Sequence, residues 1–140
     1  GGEEALRWIC APVLAAAYVV LPSGAEAEIL SGVAGHEAAC ECLLQMGPSV
    51  VGLKRGAKGC EIFAAEGRLQ VSAFPVEAVD PTGAGDCFDA GFVVGLLEGL
   101  PLEEVGALAN ACGALGATKK GPMEGAFWRK EVEAFMARSG

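Results

Sequence analysis

Seven consecutive residues, 80–86, combine the groups that a phosphoryl-transfer site needs. They read Asp-Pro-Thr-Gly-Ala-Gly-Asp, so two carboxylates, a hydroxyl and a glycine-rich turn stand directly before a long apolar run. A Gly-x-Gly turn that opens a helix leaves backbone N–H groups unpaired, and the helix dipole adds partial positive charge there. Such a turn suits a phosphate or another oxyanion. An acid in the first helical turn, here Asp86, can take a proton from a nucleophile that approaches that phosphate.

A simpler interpretation of the same stretch is a glycine-rich turn that leads into a buried helix. Asp86 would then be an N-terminal cap, and Asp80 would cap the turn before Pro81. A helix cap at Asp86 does not by itself explain why position 82 is threonine or why position 80 is aspartate. We therefore favour the chemical interpretation of the segment as a whole.

Residues 80–92 resemble the second signature of the ribokinase (PfkB) family of carbohydrate kinases, roughly Asp-x-Thr-Gly-Ala-Gly-Asp-x-Phe-x-x-Gly-Phe. The matching positions are Asp80, Thr82, Gly83, Ala84, Gly85, Asp86, Phe88, Gly91 and Phe92. So many matches at fixed spacing are far more specific than an isolated glycine motif. The resemblance implies ATP-dependent phosphorylation of a sugar or nucleoside hydroxyl, with Mg²⁺ as the metal.

The resemblance also implies a role for each part of the signature. Asp86 corresponds to the catalytic base, and the backbone amides of Gly83, Ala84 and Gly85 correspond to the anion hole. Asp80 and Thr82 match a monovalent-cation site, to which Asp80 gives a carboxylate oxygen and Thr82 a backbone carbonyl. Some family members use K⁺ there and others do not, and the sequence leaves both alternatives open.

The segment Ser23-Gly24-Ala25-Glu26 follows a proline and resembles the Asn-x-x-Glu motif of the family. Glu26 matches the glutamate that helps to organise Mg²⁺ through water. Ser23 replaces the asparagine, so one short oxygen is kept and the amide donor is lost. The alternative is a capping box at a helix start, in which Ser23 and Glu26 bond to each other's backbone amides. Both interpretations of Ser23 stay open.

The remaining nucleotide contacts implied by the resemblance lie in two places. The loop 56–59, Gly-Ala-Lys-Gly, resembles a Gly-x-x-Gly loop that contacts the nucleotide, and Lys54 can face the phosphates. A β-turn with solvated lysines is the alternative. Further along, Asn110 falls where family members contact adenine, and Gly121 closes the loop that covers that pocket. Ala117 aligns near a backbone-carbonyl ligand of the cation.

Short apolar strands alternate with helices, which predicts an α/β fold with a mainly parallel sheet and helices on both faces. Ligands in such folds bind at the carboxyl ends of the strands. Strands are predicted over 18–21 and 49–53, with a hairpin around Glu66-Gly67. Helices are predicted over 6–17 with an interruption at Pro12, 23–30, 36–46, 84–98, 101–120 and 127–137. The helix over 84–98 carries little charge and is predicted to be buried on most sides, and the last helix to turn Trp128, Val132 and Phe135 inward.

Composition excludes several classes of partner. The net charge of −8 argues against nucleic acid and anionic membranes, and no apolar stretch is long enough to cross a bilayer. Six cysteines form no Cys-x-x-Cys pair, and a single histidine, His36, is present. We therefore expect reduced, mostly buried thiols in a cytoplasmic protein, with His36 at the surface.

The resemblance covers residues 18–135 but only the carboxyl-terminal half of a typical family member. We interpret residues 1–140 as the nucleotide-binding portion of a ribokinase-like domain that is incomplete relative to the full fold. The residues that would select a sugar are absent, so the sugar cannot be named, and the chain alone need not be active. A sheet that lacks neighbouring strands predicts homo-oligomerisation or a missing amino-terminal half. The rival hypothesis is a non-catalytic ATP-binding or regulatory module.

Overall fold

The computed structural model describes residues 1–118 and 127–139, which divide into two compact units. The first unit comprises residues 1–55 and 61–70, and the second comprises 56–60 and the described residues from 71 onward. The helices are α1 (Gly2–Ala16), α2 (Gly24–Ser31), α3 (His36–Gln45), α4 (Ala84–Leu97), α5 (Leu102–Ala117) and α6 (Arg129–Ser139). The strands are β1 (Val19–Val20), β2 (Val50–Lys54), β3 (Cys60–Ala64) and β4 (Gly67–Val71).

The four strands form one sheet in the order β1-β2-β3-β4. Strands β1 and β2 are parallel, with Val19 opposite Val50 and Val20 opposite Val51. A two-residue turn joins β3 to β4, so these neighbours are antiparallel and the predicted hairpin is confirmed. The α/β class is as expected, and the sheet is mixed. Strand β1 lies at one edge, where its outer backbone groups have no neighbouring strand within the described residues.

The core of the first unit lies between the sheet and helices α1 to α3. Alternate residues of a strand point to the same face, and Val51, Leu53 and Phe63 supply the strand side of this core. Its buried members are Leu14, Ala27, Ala39, Cys40, Leu43, Val51, Leu53 and Phe63. This packing holds the first turn of α2 beside the carboxyl ends of β1 and β2.

Helix α1 differs from the prediction because it continues through Pro12. It runs from Gly2 to Ala16 with Pro12 inside. Proline removes one backbone N–H and crowds the carbonyl four residues earlier, which here belongs to Trp8. Both residues lie on the exposed side of the helix, so water can reach the carbonyl that Pro12 leaves unbonded. The predicted interruption is therefore wrong.

In the second unit, helices α4 and α5 pack closely because glycines remove side chains from their interface. A β-carbon at Gly91 would lie 2.8 Å from the Sγ atom of Cys112, and one at Gly116 would lie 2.9 Å from the Sγ atom of Cys87. Each cysteine thus fills the space that a glycine leaves on the facing helix. These pairings show that the two helices run antiparallel.

Helix α4 is buried along one face rather than on most sides. Phe92 is fully buried, whereas Val93, Val94 and Leu97 are 40%, 41% and 83% exposed. The prediction was wrong because only the α5-facing stripe is covered in this chain, and low charge alone does not show how many faces are covered. No helix among the described residues is long and apolar enough to cross a membrane.

The last helix begins two residues later than predicted. Helix α6 starts at Arg129, so Trp128 precedes it and is 82% exposed rather than inward-facing. Val132 is buried as expected. The ring of Phe135 packs edge-on against Phe74, with centroids 5.3 Å apart. These contacts attach α6 to the second unit.

All six cysteines are free, as expected for reduced thiols. Burial raises the pKa of Cys40, Cys60 and Cys112 to about 11. Burial and the nearby carboxylate of Asp86 also raise the pKa of Cys87. Thiolates are the reactive form, so these four side chains behave as small apolar groups at neutral pH. His36 is exposed, as predicted.

Candidate active site

Helix α4 begins at the turn that the sequence predicts to bind an anion. Gly83 precedes the helix with φ 81° and ψ −5°, a left-handed conformation that glycine adopts without steric cost. The amide of Ala84 donates to the carbonyl of Pro81 at 3.1 Å. No side chain caps this end of the helix. The next amides, those of Gly85 and Asp86, therefore remain available to an oxyanion.

Asp86 is the third residue of α4 and is exposed. Across residues 1–118 and 127–139, no hydrogen bond or ion pair engages its carboxylate. With Gly83 it stands at a cavity of about 530 Å³ within the second unit, a volume typical of small-molecule sites. The cavity is also lined by Cys87, Ala90, Gly91, Val94, Glu98, Leu108, Cys112, Phe127, Arg129 and Val132. A ligand there would have amides and a carboxylate at one end and a mostly apolar wall along α4.

The turn before α4 is braced by Asp80. Its Oδ1 atom accepts a hydrogen bond from the amide of Thr82 at 2.9 Å, which is the turn-capping geometry of a short acidic side chain. The amides of Val79 and Asp80 donate to the carbonyl of Ala117 at 2.9 and 3.1 Å. The capping alternative for Asp80 is thus realised, and both lone pairs of the Ala117 carbonyl are occupied. A cation role for Asp80 and Thr82 stays a prediction.

The segment after β1 forms the capping box that was the alternative for Ser23. The amide of Glu26 donates to the Oγ atom of Ser23 at 3.3 Å, and the amide of Ser23 donates to the Oε2 atom of Glu26 at 2.8 Å. Ser23 also forms a parallel bridge with Lys54 at the end of β2. The first unit thereby brings Glu26 and Lys54 to the carboxyl ends of two parallel strands. The metal role of Glu26 stays a prediction.

The loop after β2 forms a short 3-10 turn over Gly56–Lys58. Gly56 and Gly59 have φ values of 57° and 93°, so glycine is favoured at each position. A β-carbon at Gly56 would meet nothing within 4 Å, whereas one at Gly59 would clash with the carbonyl oxygen of Val71. Gly56 is therefore open to a ligand, and Gly59 is required by packing.

Asn110 is only 6% exposed and lies within α5. Its Nδ2 atom donates to the carbonyls of Val71 and Ser72 at 3.0 and 3.1 Å. Both N–H groups of the amide are thus occupied, and a nucleotide contact would have to use the Oδ1 atom. The adenine role of Asn110 stays a prediction. Gly121, the other residue predicted for that pocket, lies outside the described residues.

Similarity to known proteins agrees with this geometry. The pattern of the pfkB family of carbohydrate kinases matches residues 8–128. The chain belongs to the PfkB family of carbohydrate kinases. It is 33% identical to the ribokinase of Haemophilus influenzae over 123 residues, which cover 84% of this chain and 40% of that enzyme.

Solved structures of this family share the fold. An aminoimidazole riboside kinase from Salmonella enterica, solved with aminoimidazole riboside and an ATP analogue, superposes with a TM-score of 0.85 at 30% identity. A candidate ribokinase II from E. coli, bound to ATP and Mg²⁺, gives a TM-score of 0.89 at 37% identity over 96% of this chain. The match covers 48% and 44% of those two chains. The ribokinase-like fold is therefore confirmed, and this chain spans less than half the length of the relatives it matches.

Proposed function

We propose that this chain carries the phosphate-binding and base-bearing part of a kinase that transfers the γ-phosphate of ATP to a sugar or nucleoside hydroxyl. The observation that carries the proposal is the start of α4. A left-handed glycine leaves backbone amides open, and an accessible carboxylate stands one turn away. The three family relatives named above, which include a ribokinase and a riboside kinase, support this substrate class.

In the proposed reaction, Asp86 accepts the proton of the acceptor hydroxyl as its oxygen attacks the γ-phosphorus. The bond between that phosphorus and the bridging oxygen breaks, and ADP leaves. The amides of Gly83, Ala84 and Gly85 are the proposed anion hole and stabilise the negative charge on the transferring group. The amide of Ala84 must first leave the carbonyl of Pro81, to which it donates at 3.1 Å. The positive end of the α4 dipole acts in the same direction. Asp86 is thus the catalytic residue, and the turn is the anion hole.

Metal ions have candidate ligands on both units. Glu26 would hold Mg²⁺ through water, and its carboxylate fits this role because only its Oε2 atom is committed to the capping box. Mg²⁺ supplies neutralisation of phosphate charge. Asp80 and the carbonyl of Thr82 would hold a monovalent cation such as K⁺ beside the anion hole. Carboxylate and carbonyl oxygens are suitable ligands for both ions.

The nucleotide would be bound by the loop after β2 and by the α5 region. Lys54 ends β2 and is half-buried, which lets its ammonium group act at short range on a phosphate. Gly56 leaves open space for the nucleotide, and Gly59 keeps the loop in shape. Asn110 and Gly121 complete the proposed adenine pocket. Local basic groups and amides can act in this way despite the net charge of −8.

A second candidate function is a non-catalytic ATP-binding or regulatory module. The observation that favours it is the Ser23–Glu26 capping box, which accounts for both residues without any metal. This module would bind ATP without transferring a phosphate.

The Asp86→Asn variant, made in a protein that extends this chain to the length of its relatives, tests the proposal and separates the two candidates. Loss of the base should lower phosphoryl transfer from Mg·ATP to a panel of sugars and nucleosides by about 100-fold or more, while the affinity for ATP changes little. Asp89→Asn is the matched control, because it makes the same charge change one turn along α4. Turnover retained in the Asp86 variant would contradict the catalytic role. ATP binding without turnover would favour the module if it were found in a protein that extends this chain to the length of its relatives.

A further inference from the structure

A buried carboxylate on β3 joins two arginines of the first unit. Glu61 is 1% exposed, although it stands in the apolar run Cys-Glu-Ile-Phe. The Nη1 atom of Arg55 lies 3.2 Å from its Oε2 atom, and the Nε atom of Arg68 lies 3.4 Å from its Oε1 atom. A carboxylate removed from water needs such partners, because an unpaired buried charge is costly.

Arg68 is held in place independently of Arg55. Its Nη2 atom lies 3.0 Å from Glu37, and its Nη1 atom lies 3.5 Å from Glu41, both on α3. Its guanidinium carbon lies 5.9 Å from the ring centre of Phe63. Arg68 would therefore still neutralise Glu61 if Arg55 were replaced. The ion pair with Arg55 is therefore not required to neutralise the buried carboxylate.

The Arg55–Glu61 ion pair joins the two ends of the loop that contains Gly56 and Gly59. Arg55 is the residue before this loop, and Glu61 follows it after residues 56–60. Glycine has the largest backbone freedom of any residue, so a loop with two glycines loses much entropy when it is ordered. A contact between its ends removes part of that freedom before a ligand arrives, which lowers the cost of binding.

We propose that Arg55 and Glu61 are positioning residues that order the loop 56–59 for the nucleotide. The proposal rests on the proposed function, in which this loop contacts ATP. Neither residue needs to touch the nucleotide. Their effect is that the loop amides are already oriented, so loss of either partner should weaken binding through the loop alone.

The sign of the effect of Glu61 distinguishes positioning from simple electrostatics. Replacing Glu61 by glutamine removes a negative charge, and electrostatics alone would then tighten the binding of an anionic nucleotide. Positioning predicts the opposite, because the contact with Arg55 loses its charge. The two explanations therefore predict changes of opposite direction in the same variant.

The experiment compares Arg55→Gln, Glu61→Gln and the double variant in the full chain. Calorimetric titration with Mg·ATP gives the dissociation constant, and hydrogen exchange of the amides of residues 56–59 gives the order of the free loop. Each single change should raise the dissociation constant about tenfold and speed exchange in the loop. The double variant should be no worse than the singles, because one contact is lost in all three.

Arg68→Gln is the matched control. It removes the same positive charge and leaves the Arg55–Glu61 pair in place, so the dissociation constant and loop exchange should stay unchanged while thermal stability falls. Equal effects of Arg55→Gln and Arg68→Gln would overturn the proposal, as would tighter binding by Glu61→Gln.

Failure of the proposed function gives a different result. If the unmodified chain binds no ATP, that function fails, and loop exchange alone decides whether Arg55 and Glu61 order the loop. If Glu61→Gln does not fold, Arg55→Gln decides, because it leaves Glu61 paired with Arg68. Unchanged exchange in a folded Arg55→Gln variant would overturn the proposal in every case.

Discussion

At the scale of single residues, the start of α4 contains two glycines with different physical roles. Gly83 has φ 81° and would be strained as any other residue. Gly85 lies inside the helix, and a β-carbon there would meet nothing within 4 Å. The fold therefore needs glycine at position 83 but not at position 85. The proposed approach of a phosphate to this backbone would give a reason for glycine at position 85.

We therefore expect Gly85→Ala to change protein stability and Mg·ATP affinity in opposite directions. Alanine in place of glycine inside a helix should raise stability by roughly 0.5–1 kcal/mol. The added methyl group should nevertheless weaken Mg·ATP binding, because it stands where the phosphate approaches the amides. Thermal melting and calorimetric titration of the same sample measure the two effects. Unchanged ATP affinity in the stabilised variant would show that the phosphate does not bind at this turn.

Residue types at the site could be predicted better than their contacts. The glycine-rich turn before α4 and the position of Asp86 in the first helical turn could be predicted from the local sequence, because glycines followed by an apolar run indicate both. The partners of Asn110 do not, since Val71 and Ser72 are 39 and 38 residues away in sequence. The network around Glu61 had a signal, an acid within an apolar strand, but its arginine partners depend on strand pairing and on the position of α3.

At the scale of elements, the antiparallel contact of α4 and α5 supports the turn that precedes α4. A methyl group added at Gly91 would lie 2.8 and 3.0 Å from the Sγ and Cβ atoms of Cys112, and 3.1 Å from the Cα atom of Ala109. The last of these is backbone and cannot rotate away. A methyl group at Gly91 must therefore push the helices apart.

We expect Gly91→Ala to lower the free energy of unfolding by about 1–3 kcal/mol, the usual cost of overpacking a close contact. Gly113→Ala is the matched control, because its nearest neighbour, the Cβ atom of Phe88, would lie at an ordinary 3.4 Å. That variant should be neutral or stabilising. Chemical denaturation of both variants tests the prediction, and equal stability of the two would contradict the close approach of these helices.

Element types followed from the sequence more readily than element boundaries and burial. Alternating strands and helices indicated the α/β class, and the hairpin was placed correctly because a short turn joins an apolar run to a strand in which polar and apolar residues alternate. The continuation of α1 through Pro12 could not be foreseen, because it depends on which face of the helix is exposed. The exposure of Val93 and Leu97 depends likewise on which surfaces of α4 other elements cover.

At the scale of the whole molecule, the first unit exposes large apolar side chains and also has an open sheet edge. Trp8, Ile9 and Val13 on α1 are 81%, 61% and 67% exposed, and Tyr18, next to β1, is 64% exposed. Strand β1 stands at the end of the strand order. Open edges and large apolar patches both favour association. The relatives, of which this chain covers less than half, have additional chain that could cover such a surface.

We therefore expect the 140-residue chain to self-associate in a concentration-dependent way. Size-exclusion chromatography with light scattering should give a mass above that of a monomer. The double variant Trp8→Glu/Val13→Glu should have a mass closer to that of the monomer, because the added charges oppose burial of the exposed side of α1. Trp128→Glu is the matched control, since Trp128 is equally exposed at 82% but belongs to the second unit. A monomer at all concentrations would show that the exposed face of α1 is tolerated in water. If Trp128→Glu alone dissociated the oligomer, the contact between copies would involve the second unit and not the edge of β1.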